Sequence, residues 1–101
     1  MTYVNNLPVV GEVLFSEFLQ PMNISQNSLA KALDIPQNRL SDIINGKRRI
    51  SADTDLRLCR YFGLTDGYFT GLQMDFERIA AKRLLQKDLK KIKPFKAAVF
   101  A

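Results

Sequence analysis

Residues 26–45, QNSLAKALDIPQNRLSDIIN, contain two short segments with helical spacing of apolar residues on either side of a tight turn. Leu29 and Leu33 recur on one face of the first segment, and Leu40 begins the apolar face of the second. The small residue Ala30 lies where two crossing helices need a close approach. Short helices joined by so short a turn are typical of a helix-turn-helix, and the stretch therefore predicts that motif.

Residues that begin and end helices stand at both ends of the two segments. Ser25 is a favourable N-cap for the first segment, and Asp34 tolerates the positive φ that such a turn often requires. Pro36 suits the first position of the second helix, and Asn45–Gly46 is a typical left-handed stop. These signals place the motif at about residues 25–46.

Helical spacing continues on both sides of the motif. A first helix is predicted over residues 10–19, with Pro21 helping to stop it. A fourth helix is predicted between Ser51 and Gly63, and a fifth over about residues 65–92. Five helices with short links predict an all-α domain. The fifth helix is too long for so small a domain, so its second half either extends into solvent or packs on another chain.

The composition bounds the class of protein. The 101 residues suffice for one domain, and 47% hydrophobic with 25% charged residues is usual for a globular protein. One cysteine, Cys59, and no histidine exclude an internal disulfide, a Cys/His zinc site and histidine-dependent catalysis. The sequence also lacks a phosphate-cradling glycine loop and a recognisable carboxylate pair. We therefore expect no enzyme, no metal and no cofactor, and a buried Cys59.

The hydropathy pattern gives an expectation about location. No N-terminal window combines basic residues with a long apolar run, so we expect no signal peptide. No segment approaches the roughly 20 consecutive apolar residues of a membrane span. A cytoplasmic location is therefore expected.

The net charge of +5 is unevenly distributed along the chain. Residues 1–76 contain seven Lys/Arg and eight Asp/Glu, whereas residues 77–101 contain eight Lys/Arg and two Asp/Glu. Basic segments favour polyanionic partners, although a basic tail alone is weak evidence. We expect a helix-turn-helix DNA-binding domain over residues 1–76 and a basic C-terminal helix and tail over residues 77–101.

The outer face of the third helix carries amides and hydroxyls rather than the lysine and glutamate of a common solvated face. Amide side chains can bond adenine, and arginine can bond guanine, in the DNA major groove. From this face alone, base recognition and simple solvation are equally good interpretations. The preceding helix and turn favour base recognition. The predicted base-contacting residues are Gln37, Asn38, Arg39, Ser41 and Asp42.

Groups that suit phosphates flank this face, and phosphate contacts fix the register of a protein on DNA. Gln26 begins the second helix, and a basic run follows the third. Arg49, within that run, either joins the phosphate contacts or is a solvated loop arginine. The predicted phosphate-contacting residues are Gln26, Asn45, Lys47 and Arg48.

Residues 25–63, SQNSLAKALDIPQNRLSDIINGKRRISADTDLRLCRYFG, closely resemble the XRE-type (Cro and lambda-repressor-like) helix-turn-helix family. More narrowly, they resemble the HigA antitoxins of toxin–antitoxin modules, and residues 45–63 are the most family-specific part. The resemblance spans roughly residues 11–73. The expected fold is a five-helix, lambda-repressor-like helix-turn-helix domain with an extended C-terminal helix. The family usually has Trp where Phe69 stands and a larger residue where Gly71 stands.

The resemblance implies a type II antitoxin that forms a homodimer, binds a palindromic operator in double-stranded DNA and represses its own operon. It also implies that the protein neutralises a small mRNA-cleaving toxin by complex formation. A free-standing XRE-family transcriptional repressor without a toxin would use the same DNA-contact residues, so this alternative stays open. The positions that match the family's DNA-contacting face are Gln26, Gln37, Asn38, Arg39, Ser41, Asp42, Asn45 and Lys47.

The tail, residues 77–101, admits several interpretations. It can form a dimer interface, contact the toxin, bind further phosphates through its lysines, or be a solvated and partly frayed helix end. A membrane-surface role is less favoured because the tail lacks Trp. For its last five residues, AAVFA, docking on a partner and a protease signal both stay open. The predicted dimerisation residues are Ile79, Leu84, Leu85 and Leu89.

Overall fold

A computed structural model describes residues 3–4 and 7–95, so the expectations for the AAVFA segment lie outside the described residues. The first two elements are two-residue strands that pair antiparallel, and the remaining elements are helical. The elements are β1 (Tyr3–Val4), β2 (Leu7–Pro8), α1 (Val10–Val13), a π-helical segment (Leu14–Leu19), α2 (Gln20–Met22), α3 (Gln26–Leu33), α4 (Gln37–Ile44), α5 (Ala52–Phe62), α6 (Tyr68–Leu84) and α7 (Gln86–Lys91).

The three middle helices confirm the boundaries that the capping residues predict. The Ser25 hydroxyl accepts a hydrogen bond from the Ser28 N–H at 3.1 Å, and α3 ends at Asp34 with φ of 57°. Pro36 was predicted at the first position of α4, but it lies one residue earlier as the N-cap. At the end of α5, Gly63 has a φ of 69°. Local capping chemistry therefore defines the helix-turn-helix and the helix after it.

The first helix differs from the prediction, because it runs through Pro21 instead of stopping before it. Its middle is π-helical, and the Gln20 N–H donates to the Phe15 carbonyl, five residues back. Proline has no N–H and crowds the preceding turn of an α-helix, and a widened turn relieves that conflict. The helix ends at Asn23, which adopts a left-handed conformation with φ of 55°.

The predicted fifth helix is present as two segments with a break between them. It begins at Tyr68, because Gly67 precedes it with φ of 91°, and it is interrupted at Leu85. Every residue from 81 to 95 is exposed. The radius of gyration is 17.0 Å, against about 13 Å for a compact chain of roughly this length. The end of α6 and α7 therefore project from the domain as an arm.

The apolar residues of the helix-turn-helix lie in the core, as predicted. Here α3 packs against α4 and α5, while α1 packs against α4 and α6. The side chains of Leu29 and Leu40 are fully buried, and Ala30 is 2% exposed where α3 and α4 meet. The buried apolar cluster comprises Val10, Leu14, Leu19, Leu29, Ala30, Leu33, Ile35, Leu40, Ile43, Ile50, Leu58, Cys59 and Phe69.

A buried carboxylate joins α5 to the first turn of α6. The Asp55 side chain accepts hydrogen bonds from the backbone N–H groups of Gly67, Phe69 and Thr70 at 2.7, 2.9 and 3.0 Å. The first turn of a helix leaves such donors without intrahelical partners, and a negative charge is favourable there. The buried thiol of Cys59 lies 3.6 Å from the same carboxylate. Asp55 therefore fixes where α6 begins.

Glycine at position 11 allows α1 to lie directly on α4. A Cβ atom at Gly11 would stand 1.9 Å from the backbone oxygen of Ile43. By contrast, open space surrounds Gly71 in α6. Only the first glycine is therefore required by helix packing, and it sets the position of the end of α4.

We expect Gly11→Ala to destabilise the domain by about 1–3 kcal/mol, because α4 must move to admit a methyl group. Gly71→Ala is the matched control, and it should stabilise α6 by roughly 1 kcal/mol because alanine is the better helix former. Urea unfolding of both variants measures the two changes. If Gly11→Ala were as stable as the wild type, the close contact between α1 and α4 would be contradicted.

Candidate nucleic-acid interface

The predicted base-contacting residues occupy the solvent-facing side of α4. Its opposite side is anchored in the core by Leu40 and Ile43, which are 0% and 1% exposed. Since a helix turns by about 100° per residue, this anchoring directs the polar positions outward. Of these positions, Gln37 and Asn38 are exposed, whereas Arg39, Ser41 and Asp42 are half-buried.

Arg39 is oriented by an acidic residue at the start of α5. One guanidinium nitrogen of Arg39 lies 3.6 Å from a carboxylate oxygen of Asp53. The same oxygen accepts a hydrogen bond from Nε of Arg57 at 2.8 Å. Asp53 therefore holds Arg39 in place while leaving it half-exposed at the surface of α4.

Arg57 also braces the turn of the helix-turn-helix. One of its terminal nitrogens donates to the carbonyl oxygens of Leu33 and Asp34, at 2.8 and 3.3 Å. Carbonyls at the end of a helix lack intrahelical partners, and a cation there is favourable. The sequence analysis missed this brace, although Asp53 and Arg57 have the i, i+4 spacing of an ion pair.

The predicted phosphate-contacting residues lie at the two ends of the motif. Gln26 is the first residue of α3 and is half-buried, in a turn whose backbone N–H groups lack intrahelical partners. Asn45 ends α4, and its side-chain nitrogen donates to the Ser41 hydroxyl at 3.4 Å. Lys47 and Arg48 follow with exposed side chains. The predicted set therefore stands at the surface, with its cations in the loop after α4.

That loop, residues 46–50, is attached to α6 by two polar contacts. The buried Gln73 amide accepts from the Ile50 N–H at 2.7 Å and donates to the Ile50 carbonyl at 2.9 Å. Nε and one terminal nitrogen of Arg49 donate to the two carboxylate oxygens of Glu77 at 2.6 and 2.8 Å. We call these two contacts the loop clamp. Arg49 is thus ion-paired with Glu77, while its side chain remains 64% exposed.

The loop clamp changes the ionisation of both charged partners. Hydrogen bonding to Arg49 is the largest effect and lowers the pKa of Glu77; burial opposes it, and the positive charge of Arg49 lowers the pKa by a smaller amount. The same hydrogen bond and charge raise the pKa of Arg49. Glu77 and Gln73 were not found by sequence analysis. They lie 28 and 23 residues from their partners, and no local pattern marks such a contact.

Leu84, Leu85 and Leu89 of the predicted dimerisation residues lie on the projecting arm, and Ile79 precedes the arm in α6. Leu84 is the most exposed of the four at 75%, and Ile79, Leu85 and Leu89 are between 41% and 43% exposed. Ile79 and Leu84 belong to α6, and Leu89 belongs to α7. Ile92 and Phe95 are also exposed, so the part of the chain that the structure describes leaves these apolar side chains uncovered.

Within the described residues, 3–4 and 7–95, no group of three or more His, Cys, Asp or Glu side chains is placed to hold a metal ion. Within the same ranges no helix combines the length and apolar character needed to cross a bilayer.

The fold and the exposed polar face of α4 together define a helix-turn-helix protein. A family model described as Helix-turn-helix matches residues 16–69, just over half of the chain. Antitoxin HigA-1 of Vibrio cholerae is 32% identical over 85 residues, which are 84% of this chain and 80% of that protein. The chain therefore belongs to the XRE-type helix-turn-helix family and, within it, to the HigA antitoxins.

A second relative and a solved structure are also similar to this chain. Virulence-associated protein I of Dichelobacter nodosus is 48% identical over 61 residues, and the match covers 58% of this chain and 56% of that protein. The structure of Pseudomonas aeruginosa antitoxin HigA with the higBA promoter is similar, with 34% identity and a TM-score of 0.78. That likeness covers 87% of this chain and 97% of the P. aeruginosa chain.

The Arg49–Glu77 ion pair of the loop clamp should contribute to stability only while Glu77 is ionised. Because Arg49 lowers the pKa of Glu77 below the ordinary 4.5, the contribution is fully present above that value and is lost as the pH falls through the lowered pKa. The difference in unfolding free energy between the wild type and Glu77→Gln should be constant from about pH 6 to 8 and shrink below about pH 4.

Urea unfolding at a series of pH values measures this difference, and Arg49→Gln should reproduce it because it removes the same pair. A difference that persists unchanged at the acid end would show that the ion pair does not stabilise the folded chain.

Proposed function

We propose that this chain is the antitoxin of a type II toxin–antitoxin module. In this proposal a dimer binds a palindromic operator in its own promoter and represses its operon. The dimer also neutralises a small mRNA-cleaving toxin by forming a complex with it. The observation that carries the proposal is the exposed amide and hydroxyl face of α4, beside a cationic loop, in a chain of the HigA family. The P. aeruginosa member was solved with promoter DNA, which supports operator binding here.

We assign base recognition to the solvent-facing side of α4. Gln37 and Asn38 are exposed at the first turn of α4, the part of a recognition helix that contacts base edges. Amides there can bond adenine, and the guanidinium of Arg39 can bond guanine. Ser41 and Asp42, one turn further on, are half-exposed and suit donors of a neighbouring base pair.

We assign phosphate contacts to both ends of the motif. Gln26 stands at the N-terminus of α3, where backbone N–H groups and the helix dipole favour an anion. Asn45, Lys47 and Arg48 stand beyond the C-terminus of α4 and supply an amide and two cations. Contacts at both ends of the motif would fix the register of α4 in the major groove.

The base and phosphate assignments predict different defects. Asn38→Ala should weaken binding to the DNA upstream of its own gene by about 1–3 kcal/mol, and it should reduce the preference over scrambled DNA. Lys47→Ala should weaken binding to both DNAs equally and lower the slope of log affinity against log salt by about one. Fluorescence anisotropy titrations at several salt concentrations measure both effects.

Asn27→Ala is a matched control for Asn38→Ala, since Asn27 is an exposed asparagine near the start of the neighbouring helix. It should retain the wild-type preference for the upstream DNA. If Asn38→Ala kept that preference, base recognition by α4 would be wrong. If Lys47→Ala kept the wild-type salt slope, the assignment of Lys47 as a phosphate-contacting residue would be wrong.

We assign dimerisation to the arm formed by the end of α6 and α7. Exposed apolar side chains are unfavourable in water, and the surface around Leu84 and Leu89 gains stability when a partner covers it. A second copy of the chain is the partner that a palindromic operator requires, because each recognition helix occupies one half-site. DNA binding is thereby assigned to residues 1–76 and partner contact to residues 77–101.

The paired substitution Leu84→Glu and Leu89→Glu should convert the dimer to a monomer, because it places charges in the apolar interface. Met22→Glu is the control, since Met22 is 52% exposed at the end of α2, away from the arm. Sedimentation velocity separates monomer from dimer. If the paired variant were still a dimer, the interface would lie on another surface. Toxin contact would then be the better role for the arm.

A free-standing repressor without a toxin is the second candidate function, since every assigned DNA contact would serve it equally. Purification of the tagged chain from its native host separates the two candidates. A small basic protein recovered in stoichiometric amount, encoded next to this chain, supports the antitoxin. A clean homodimer recovered alone favours the free-standing repressor. Under either candidate we infer a cytoplasmic binding protein without catalytic activity or a cofactor.

A further inference from the structure

The loop of residues 46–50 carries Lys47 and Arg48, the two cations assigned to phosphate contacts, and the end of that loop is attached to α6. We propose that Gln73 and Glu77 are positioning residues for the phosphate contacts of residues 46–50. We further propose that Arg49 is an internal brace rather than a DNA ligand. The inference rests on the proposed function, because it concerns how the loop meets DNA.

Gln73 fixes the backbone at the end of the loop. Its side-chain amide makes two hydrogen bonds to one residue, with both the N–H and the carbonyl of Ile50. Gln73 is 5% exposed and Ile50 is 2% exposed, so water does not replace these bonds. Breaking the hydrogen bonds of a buried amide costs more free energy than breaking those of an exposed amide, because no water takes their place. The backbone of Ile50 therefore has one position relative to α6.

Glu77 fixes the side chain one residue earlier. Its two carboxylate oxygens accept hydrogen bonds from two nitrogens of Arg49. Such paired hydrogen bonds restrict both the distance and the orientation of the guanidinium. The guanidinium of Arg49 is directed to α6 in this arrangement. The loop has three consecutive cations. Lys47 and Arg48 are available to contact phosphates, whereas Arg49 fixes the position of the backbone that carries them.

The start of the loop is fixed to α4. The N–H of Gly46 donates to the carbonyl of Ile43, and the N–H of Lys47 donates to the carbonyl of Asp42 at 2.8 Å. With Arg49 and Ile50 tied to α6, the segment that bears the two cations is held at both ends. Its position then depends on the distance between α4 and α6.

A cavity of about 400 Å³ lies beside the loop clamp. Its lining includes Lys47 and Arg48 of the loop and Phe76, Ala80 and Leu84 of α6. Gln73 and Glu77 line the same cavity and make the hydrogen bonds that connect the end of the loop to α6.

The test compares two substitutions that change the charge of α6 equally. Glu77→Gln removes one negative charge and the loop clamp's ion pair. Asp75→Asn also removes one negative charge, but from an exposed pair with Arg78 within the same helix. If charge alone mattered, both variants would bind DNA slightly more tightly, because each is more cationic. The positioning role instead predicts opposite effects.

We expect Glu77→Gln to bind the DNA upstream of its own gene roughly tenfold more weakly than Asp75→Asn, with a salt slope lower by about one. Its preference over scrambled DNA should be retained, since α4 is untouched. Arg49→Gln should show a similar loss, and the double variant should lose no more than either single variant. Anisotropy titrations over about 50–200 mM salt give the affinities and slopes.

Three outcomes overturn the inference. Equal affinities of Glu77→Gln and Asp75→Asn would show that Glu77 acts only through its charge. Additive losses in the double variant would show that Arg49 binds DNA itself. If the wild type and Asp75→Asn both lacked preference for the upstream DNA, the proposed function would fail and the positioning role would fail with it. Unfolding in urea at the titration pH separates a folding defect from a lost contact.

Discussion

The buried carboxylate of Asp55 is the contact on which the functional surface depends. It accepts three backbone N–H groups and so fixes the start of α6 against α5. From that start α6 carries Gln73 and Glu77 to the loop after the recognition helix. The same helix then leaves the domain as the arm. Removing the carboxylate would leave three backbone N–H groups without this partner, including the buried one of Phe69, which is costly, and it would weaken the attachment of α6 to α5.

The surface proposed to meet DNA combines rigid and adaptable parts. The recognition helix α4 is held from behind by core leucine and isoleucine side chains and by the close approach of Gly11. Its outward side chains are short amides and hydroxyls, which can adjust to base edges. Arg39 is the exception, because Asp53 restrains it. This arrangement suits specific recognition, in which the backbone is fixed and only side-chain ends adapt.

Sequence alone predicted the features that depend on neighbouring residues. Ser25, Asp34 and Gly63 mark helix ends by their own chemistry, so α3, α4 and α5 were predicted within a residue or two. Pro21 misled the prediction of the first helix, because proline ordinarily ends an α-helix and here a π-helical segment admits it. The loop clamp could not be predicted, since its partners come together only when α6 has packed. The DNA-contact set itself stays a prediction.

Hydroxyl-radical footprinting of the wild-type chain on the DNA upstream of its own gene tests the central claim most directly. A dimer that places one α4 in each half-site should protect two backbone patches related by a two-fold axis. Their centres should lie about one helical turn apart, roughly 34 Å, or a multiple of it. Protection that is uniform along the DNA, or the same on unrelated DNA, would contradict sequence recognition by α4.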